Sequence, residues 1–480
     1  MNLPWLSCLL LLPLLGIPAL WLLPARWAKP FSLTVLALAL LLATGLLIGF
    51  VPDGERFQWV DRAAWLPGLG VQWLLAVDGL SVLFLPASVL LFIGVVAVSA
   101  PLHAVRAYHA WLLLLATTML GIFCALDLVL FFVFWELSLL PVYFLLAHWG
   151  ATPEAPRVAA RYVLLMLGGG VPLLLAIGLL GMAGGFDGIA QLTTLRPTSG
   201  QWLPFALMLL AFGLKVPLVP LHTWLPQLAL AAPGGLLAVV LGLKVGAYAL
   251  IRFAVPLAPQ AALDLHWLLA GLGTVSLLYG AVGILAHSNL RVALAYASVC
   301  HVGLAVLGLA TLSPQGVQGA VSLLLSFSAA TGGALLLLEC LRRRTGSTDI
   351  HELGGAARSM PLLAGGVLIC GLAGVGMPGT SSFPGEFLLV LSILERYTGA
   401  GMAALFGLAI AASAFLARYR QAFFGGIRRS TVARSPDIRG AEWLVLLVLI
   451  AIIVGIGLYP APWIDAVRPA AEAWAAAVRR

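Results

Sequence analysis

Glu136, Lys215, Lys244 and Glu386 each lie deep in a long apolar run, where a charge is out of place. In VLFFVFWELSLLPVYFLL, residues 129–146, every side chain except Glu136 and Ser138 is apolar or aromatic. A charge at mid-bilayer costs about 2.5–3.5 kcal/mol on insertion scales, so four left unpaired cost on the order of 10 kcal/mol. Two acids and two bases offset that cost by pairing, and pairing couples their protonation. Static ion pairs between helices are the plain structural reading, and proton exchange is the functional one. Residue choice favours exchange. Only three of the 26 basic residues are lysine, and two of those three are the buried cations. Arginine stays charged everywhere, whereas a desolvated lysine gives up its proton near neutral pH.

Two of the four charges adjoin helix breaks. In AFGLKVPLVPLHTWLP, Pro217 and Pro220 cannot donate to the carbonyls of Gly213 and Val216, so the helix opens just after Lys215. Lys215 then stands at the carboxyl end of a half-helix, where the helix dipole favours a cation. In GVGMPGTSSFPGEFLL the break comes first, and Glu386 falls in the first turn of the second half-helix, where an anion is favoured. Broken helices near the midplane mark ion sites in transporters. His301, in AYASVCHVGLAVLG, is read as a proton relay because it lies between Lys244 and Glu386 in the order of spans. His222 and Thr223, beside the first break, are possible relay groups, though a buried histidine is as often a hydrogen-bonded core residue. Asp78 and Asp127 sit near span ends and read as caps or surface groups, with Asp127 also placed to feed Glu136.

The elements that position these groups follow from composition. The 480 residues are 62% hydrophobic and 9% charged, against roughly 25% charged residues in soluble domains. The apolar runs are continuous and about twenty residues long, the length of a membrane helix rather than of the short alternating strands of a barrel. An all-α polytopic membrane protein is expected. Fourteen spans fall near 3–23, 31–51, 77–100, 108–126, 129–149, 158–182, 202–230, 234–256, 264–286, 292–312, 316–341, 360–398, 401–424 and 440–460. The seventh and twelfth are too long and too rich in proline and glycine to be simple rods. The first is read as a retained helix, since it lacks a basic start and a clear cleavage site.

With the amino terminus outside, the inside loops hold sixteen basic residues and the outside loops, counting Arg252 among them, hold eight. The positive-inside rule favours this orientation, which places both termini outside. The net charge of +8 is therefore loop charge that fixes orientation, with no nucleic-acid partner implied. The five cysteines form no C-x-x-C pair and sit in apolar runs, so neither disulfide nor metal cluster is expected. Residues 1–100 form a peripheral group, and 440–480 a last helix with a tail. Between them lie two five-span groups, 108–256 and 264–424, each with a broken fourth span. Aligning Glu136 with His301 and Lys215 with Glu386 gives internal separations of 79 and 85 residues (215 − 136 and 386 − 301). Five spans per group would set the two copies inverted in the membrane.

The segments FFVFWELSLLPVYFLLAHWG, FGLKVPLVPLHTWLP, LGLKVGAYALIRF, LAYASVCHVG and MPGTSSFPGEF resemble the antiporter-like membrane subunits of respiratory complex I, NADH:quinone oxidoreductase. The resemblance runs from about Asp78 to Pro460 and points to the M type, also called chain 4, because Glu386 stands where other types carry lysine. It implies a coupled pair in Glu136 and Lys215, a central Lys244, a relay in His301 and a release-side acid in Glu386. It implies an uptake half-channel in 108–256 and a release half-channel in 264–424. It further implies no redox centre on this chain. NADH, FMN, iron–sulfur clusters and quinone would be handled by partner subunits in a bacterial cell membrane. The neighbours would be L-type and N-type subunits, the lateral helix of the L type, and lipid. Two departures stand out. PQLALAAP replaces the family's Pro-Asp-Ala-His after the seventh-span break, and Phe327 falls where relatives hold an eleventh-span histidine, leaving Ser328 or Thr331 to assist the relay. A subunit of a multisubunit cation/proton antiporter or membrane-bound hydrogenase would share this ion-site logic with other partners. A passive spacer would need the buried lysines only for assembly.

Overall fold

Lipid offers the backbone no hydrogen-bond partner, so apolar runs of this length fold as helices that satisfy themselves. A computed structural model describes residues 3–194 and 200–479. Arg196 and Arg480, both counted in the outside loops, fall outside those residues. Among the described residues, 11 helices are long and apolar enough to cross a membrane. Three shorter apolar helices, Phe84–Val98, Trp202–Lys215 and Pro361–Gly374, occupy the places of the third, seventh and twelfth predicted spans. Each predicted span thus has its apolar helix, and spans are numbered accordingly below.

The two long predicted spans are interrupted as their prolines and glycines require. The seventh runs Trp202–Lys215, opens, and resumes at Trp224–Ala231. The twelfth runs Pro361–Gly374, opens through Gly376 and Gly379, both with positive φ, and resumes at Phe383–Arg396. A third break has no proline to announce it. The eighth span, Gly234–Leu257, is cut at Lys244, whose own backbone is left-handed (φ 48°, ψ 38°). A left-handed residue other than glycine costs about 1–2 kcal/mol. Further along, Leu250–Ala254 winds as a π-helix.

Three expectations need correction. The chain is not wholly helical: Gln58–Leu66 and Val71–Val77 pair as an antiparallel hairpin turned through Gly70 (φ 69°). Its second strand takes the first residue predicted for the third span, which starts only at Phe84. The tail is itself a helix, Ala461–Arg479, with alanine, valine and tryptophan on its buried side. Arg252 is not a loop residue. It lies in the π-helical turn at 1% exposure, and its two terminal nitrogens grip the two Asp78 oxygens at 2.7 and 2.6 Å. Asp78, expected as a cap or surface group, does cap the Leu80 N–H, yet it is fully buried by this pairing.

A repeat is visible in the backbone. Leu128 N–H bonds Phe186 O and Gly188 N–H bonds Leu126 O; Leu290 N–H bonds Thr348 O and Ile350 N–H bonds Ser288 O. The offset is 162 residues at every position (288 − 126, 290 − 128, 348 − 186, 350 − 188). Each clasp sits beside an Asx cap, Asp127 for the fifth span and Asn289 for the tenth. At that offset Glu136 is equivalent to Ser298 and Lys215 to Met377, so the pairing of Glu136 with His301 and of Lys215 with Glu386 is not the structural one.

Candidate functional site

The fifth span is not a continuous rod. Its helix is interrupted at Ser138, between Leu128–Leu137 and Leu139–Trp149. Lys215, the last residue of its half-helix, reaches into this interruption. Its amine donates to the Trp135 carbonyl (3.2 Å) and the Ser138 hydroxyl (3.1 Å) and lies 3.9 Å from the Trp135 ring centroid. Glu136 shares the stretch but does not close on the amine. Both its carboxylate oxygens are buried without a hydrogen-bond partner. Its seat exists because position 170 is glycine: a Cβ there would stand 2.3 Å from Glu136 Oε1. The predicted pair is therefore brought together but held open.

The break at Lys244 packs directly on the break at Lys215. Gly246 makes this approach possible, since a Cβ on it would lie 2.9 Å from Val216 N and 3.1 Å from Lys215 C. The Lys244 amine bonds the Ser298 hydroxyl and faces the Phe327 ring at 5.2 Å. A cavity of about 20 Å³ opens onto Ser138, Tyr162, Lys215, Lys244 and Ser298. One water needs about 10–15 Å³ of such space, so the cavity can hold one between the two amines.

On the far side of Phe327 stands His301, with ring centroids 4.8 Å apart. His301 Nδ1 lies 2.6 Å from the Ala297 carbonyl one turn back. Donation there leaves Nε2 free, and Nε2 points at Glu386 Oε1 across 3.8 Å. Both of those atoms are buried without a hydrogen-bond partner. Glu386 sits in the first turn after the twelfth-span break, as the dipole argument requires. Gly376 leaves room for it, since a Cβ there would overlap Glu386 Oε2. The order along the molecule is Glu136, Lys215, Lys244, Ser298, His301, Glu386, with three helix breaks supplying the turns.

The remaining predicted relay groups divide. Thr331 lines a second, mostly apolar cavity of about 40 Å³ beside His301. The Ser328 hydroxyl is buried and unpartnered. His222 is 6% exposed, and its Nδ1 is buried without a partner. Thr223 points outward and joins nothing in the row. Asp127 is a structural cap: its oxygens accept from the N–H groups of Gln72, Val129 and Leu130, leaving it no role as a feeder of Glu136. Sequence reasoning missed Trp135, Ser138 and Ser298. Ser298 was findable, one helical turn before His301, as was the Lys244 break, flanked by Gly242 and Gly246.

A chain of buried acids and amines strung across broken helices defines a membrane subunit of the antiporter-like class. A family described as NADH:quinone oxidoreductase/Mrp antiporter, transmembrane, matches residues 125–413, and the chain belongs to that family. It is similar to NAD(P)H-quinone oxidoreductase chain 4 1 of Synechococcus sp. (strain JA-3-3Ab), 35% identical across 96% of this chain and 90% of the relative. NADH-quinone oxidoreductase subunit M of Rhodobacter capsulatus is 31% identical across 92% of this chain and 90% of the relative. Among solved structures, a chain of respiratory complex I from Thermus thermophilus with bound NADH superposes with a TM-score of 0.91 at 32% identity, covering 98% of this chain and 99% of that one. These matches are of the M, or chain 4, type.

Proposed function

We propose that this chain is a proton-translocating subunit of the membrane arm of an NADH:quinone oxidoreductase, with Glu136, Lys215, Lys244, His301 and Glu386 as its proton-carrying groups. The observation that carries the reading is the shared cavity: two buried amines on two adjoining helix breaks, with Glu136 beside them and not bonded to either. Two unit charges 4 Å apart at an effective dielectric of 20 interact by about 4 kcal/mol. That is about a thousandfold in proton binding. A movement of Glu136 toward or away from Lys215 would therefore switch the amine between holding and releasing a proton. The proton passes through the cavity to Lys244 and Ser298, then to His301 and Glu386, and leaves on the outside. The matching clasps 162 residues apart support two related halves, one for uptake and one for release, and the five spans between them support the inverted arrangement.

NADH, FMN, iron–sulfur clusters and quinone belong on partner chains in this reading. The neighbours are L-type and N-type subunits, with the lateral helix of the L type running alongside. The membrane is a bacterial cell membrane with both termini outside. Removing Arg252 from the outside loops strengthens the positive-inside bias behind that orientation. In the assembled complex, Lys215→Ala or Glu136→Gln should abolish most of the proton pumping coupled to NADH oxidation. A normal proton-to-electron ratio in either variant overturns the assignment. Copurification of small antiporter subunits, without flavin or iron–sulfur partners, would move the chain to a cation/proton antiporter.

A further inference from the structure

The proposed row explains the midplane but not how a proton reaches it. The residues after the seventh-span break, Trp224 to Pro233, carry no ionisable side chain, so the supply must come from another element. A file of rings does approach from the loop between the ninth and tenth spans. His287, in that loop, stacks on Tyr296 with centroids 4.6 Å apart and planes at 21°. Tyr296 lies 6.2 Å from the ring of His222, and Tyr279 stands 4.8 Å from His222 and 6.1 Å from Tyr296. Tyr296 is 8% and His222 6% exposed, so the inner part of the file is enclosed. His222 stands two residues before Trp224, which lines the cavity shared by Lys215 and Lys244.

The chemistry of the ends fits proton uptake. His287 Nδ1 lies 2.8 Å from the Gly283 carbonyl; donation there leaves Nε2 as the basic nitrogen. At the other end, His222 Nδ1 is a buried nitrogen with no partner. Charges flank the mouth: Asp349 accepts from the Ser288 hydroxyl, and Arg418 is anchored on the Ile284 and Leu285 carbonyls. Gly283 lets the Tyr296 ring lie against the ninth span, because a Cβ there would meet the ring at 2.3 Å.

Resting on the proton-translocation reading above, we infer that His287, Tyr296 and His222 form the uptake limb that delivers protons from the inner face to the Lys215–Lys244 cavity. His287 Nε2 takes a proton from solvent. The Tyr296 hydroxyl oxygen accepts that proton as it releases its own toward His222 Nδ1, so the tyrosine stays neutral and no other reactant is consumed. Water bridges the spaces between the rings. Tyr279 walls the path on the lipid side.

The test uses the whole complex in inverted membrane vesicles, whose inner face meets the medium, with pumping expressed per assembled complex. His287→Gly should slow NADH-driven proton translocation severalfold, and added imidazole should restore it. Tyr296→Phe, which keeps the ring and removes the hydroxyl, should slow it about as much and gain nothing from imidazole. The inference is overturned if both variants pump at the normal rate while Lys215→Ala abolishes pumping, or if His287→Gly is slow and imidazole has no effect. Normal pumping in Lys215→Ala would instead strike the reading beneath it.

Discussion

A carboxylate buried without a partner is costly, and the fold holds one in place at both ends of the row. Glu136 and Glu386 each rest against a glycine whose missing side chain makes the space, Gly170 and Gly376. These glycines are therefore positioning residues for acids far from them in sequence. Gly170→Ala places a methyl where Glu136 Oε1 now lies. The atom it meets is the end of a flexible side chain, so the expected outcome is normal assembly with pumping reduced toward that of Glu136→Gln. Proton-to-electron ratios in reconstituted complex would show it, and a fully active Gly170→Ala would mean that the seat of Glu136 is unimportant.

Among the elements, the eighth span holds the most information. Its left-handed residue at Lys244 turns the helix at the amine, and its π-helical turn carries Arg252 into a bidentate pair with Asp78 at the foot of the third span. Removing one partner of such a pair strands a buried charge, at about 3–5 kcal/mol, whereas replacing both by apolar groups is often neutral. Asp78→Leu or Arg252→Met alone should therefore sharply lower the thermal stability of the complex, and the double variant should recover most of it. Equal losses in single and double variants would show that the pair is not the lock between these elements. The two proline breaks were legible in the sequence because proline removes a donor wherever it stands. The Lys244 break was not, because a left-handed lysine has no compositional mark; only the packing of Gly246 on the seventh-span break makes it necessary. The Asp78–Arg252 pair was hidden for a similar reason, its partners being 174 residues apart.

At the scale of the molecule, the carboxyl-terminal helix Ala461–Arg479 acts as a strap. Trp474 is fully buried, and its indole N–H donates to Ile251 O in the π-helical turn at 2.8 Å. Gln318 holds the Ile464 carbonyl, and Arg479 the Leu312 carbonyl. Truncating a buried aromatic to alanine costs about 3–5 kcal/mol, so Trp474→Ala should loosen the eighth and eleventh spans together. Faster amide hydrogen exchange confined to both spans would record it, and unchanged exchange in either would separate the strap from that span. The sequence read this helix as a tail because its alanines are weakly hydrophobic and its charges frequent. Likewise the hairpin disappeared into the third span, because seven apolar residues before Phe84 look the same as strand or helix. Membrane helices were legible since hydrocarbon demands them; elements lying across their ends obey no such demand.

The paired clasps carry a last consequence. One scaffold occurs twice, and twofold likeness by itself gives traffic no preferred sense. Whatever rectifies the flow must reside where the copies disagree: a carboxylate in one against a hydroxyl in the other at Glu136 and Ser298, an amine against a thioether at Lys215 and Met377. The arrow of this vectorial device is thus written in a few substitutions on a backbone that is itself indifferent to direction.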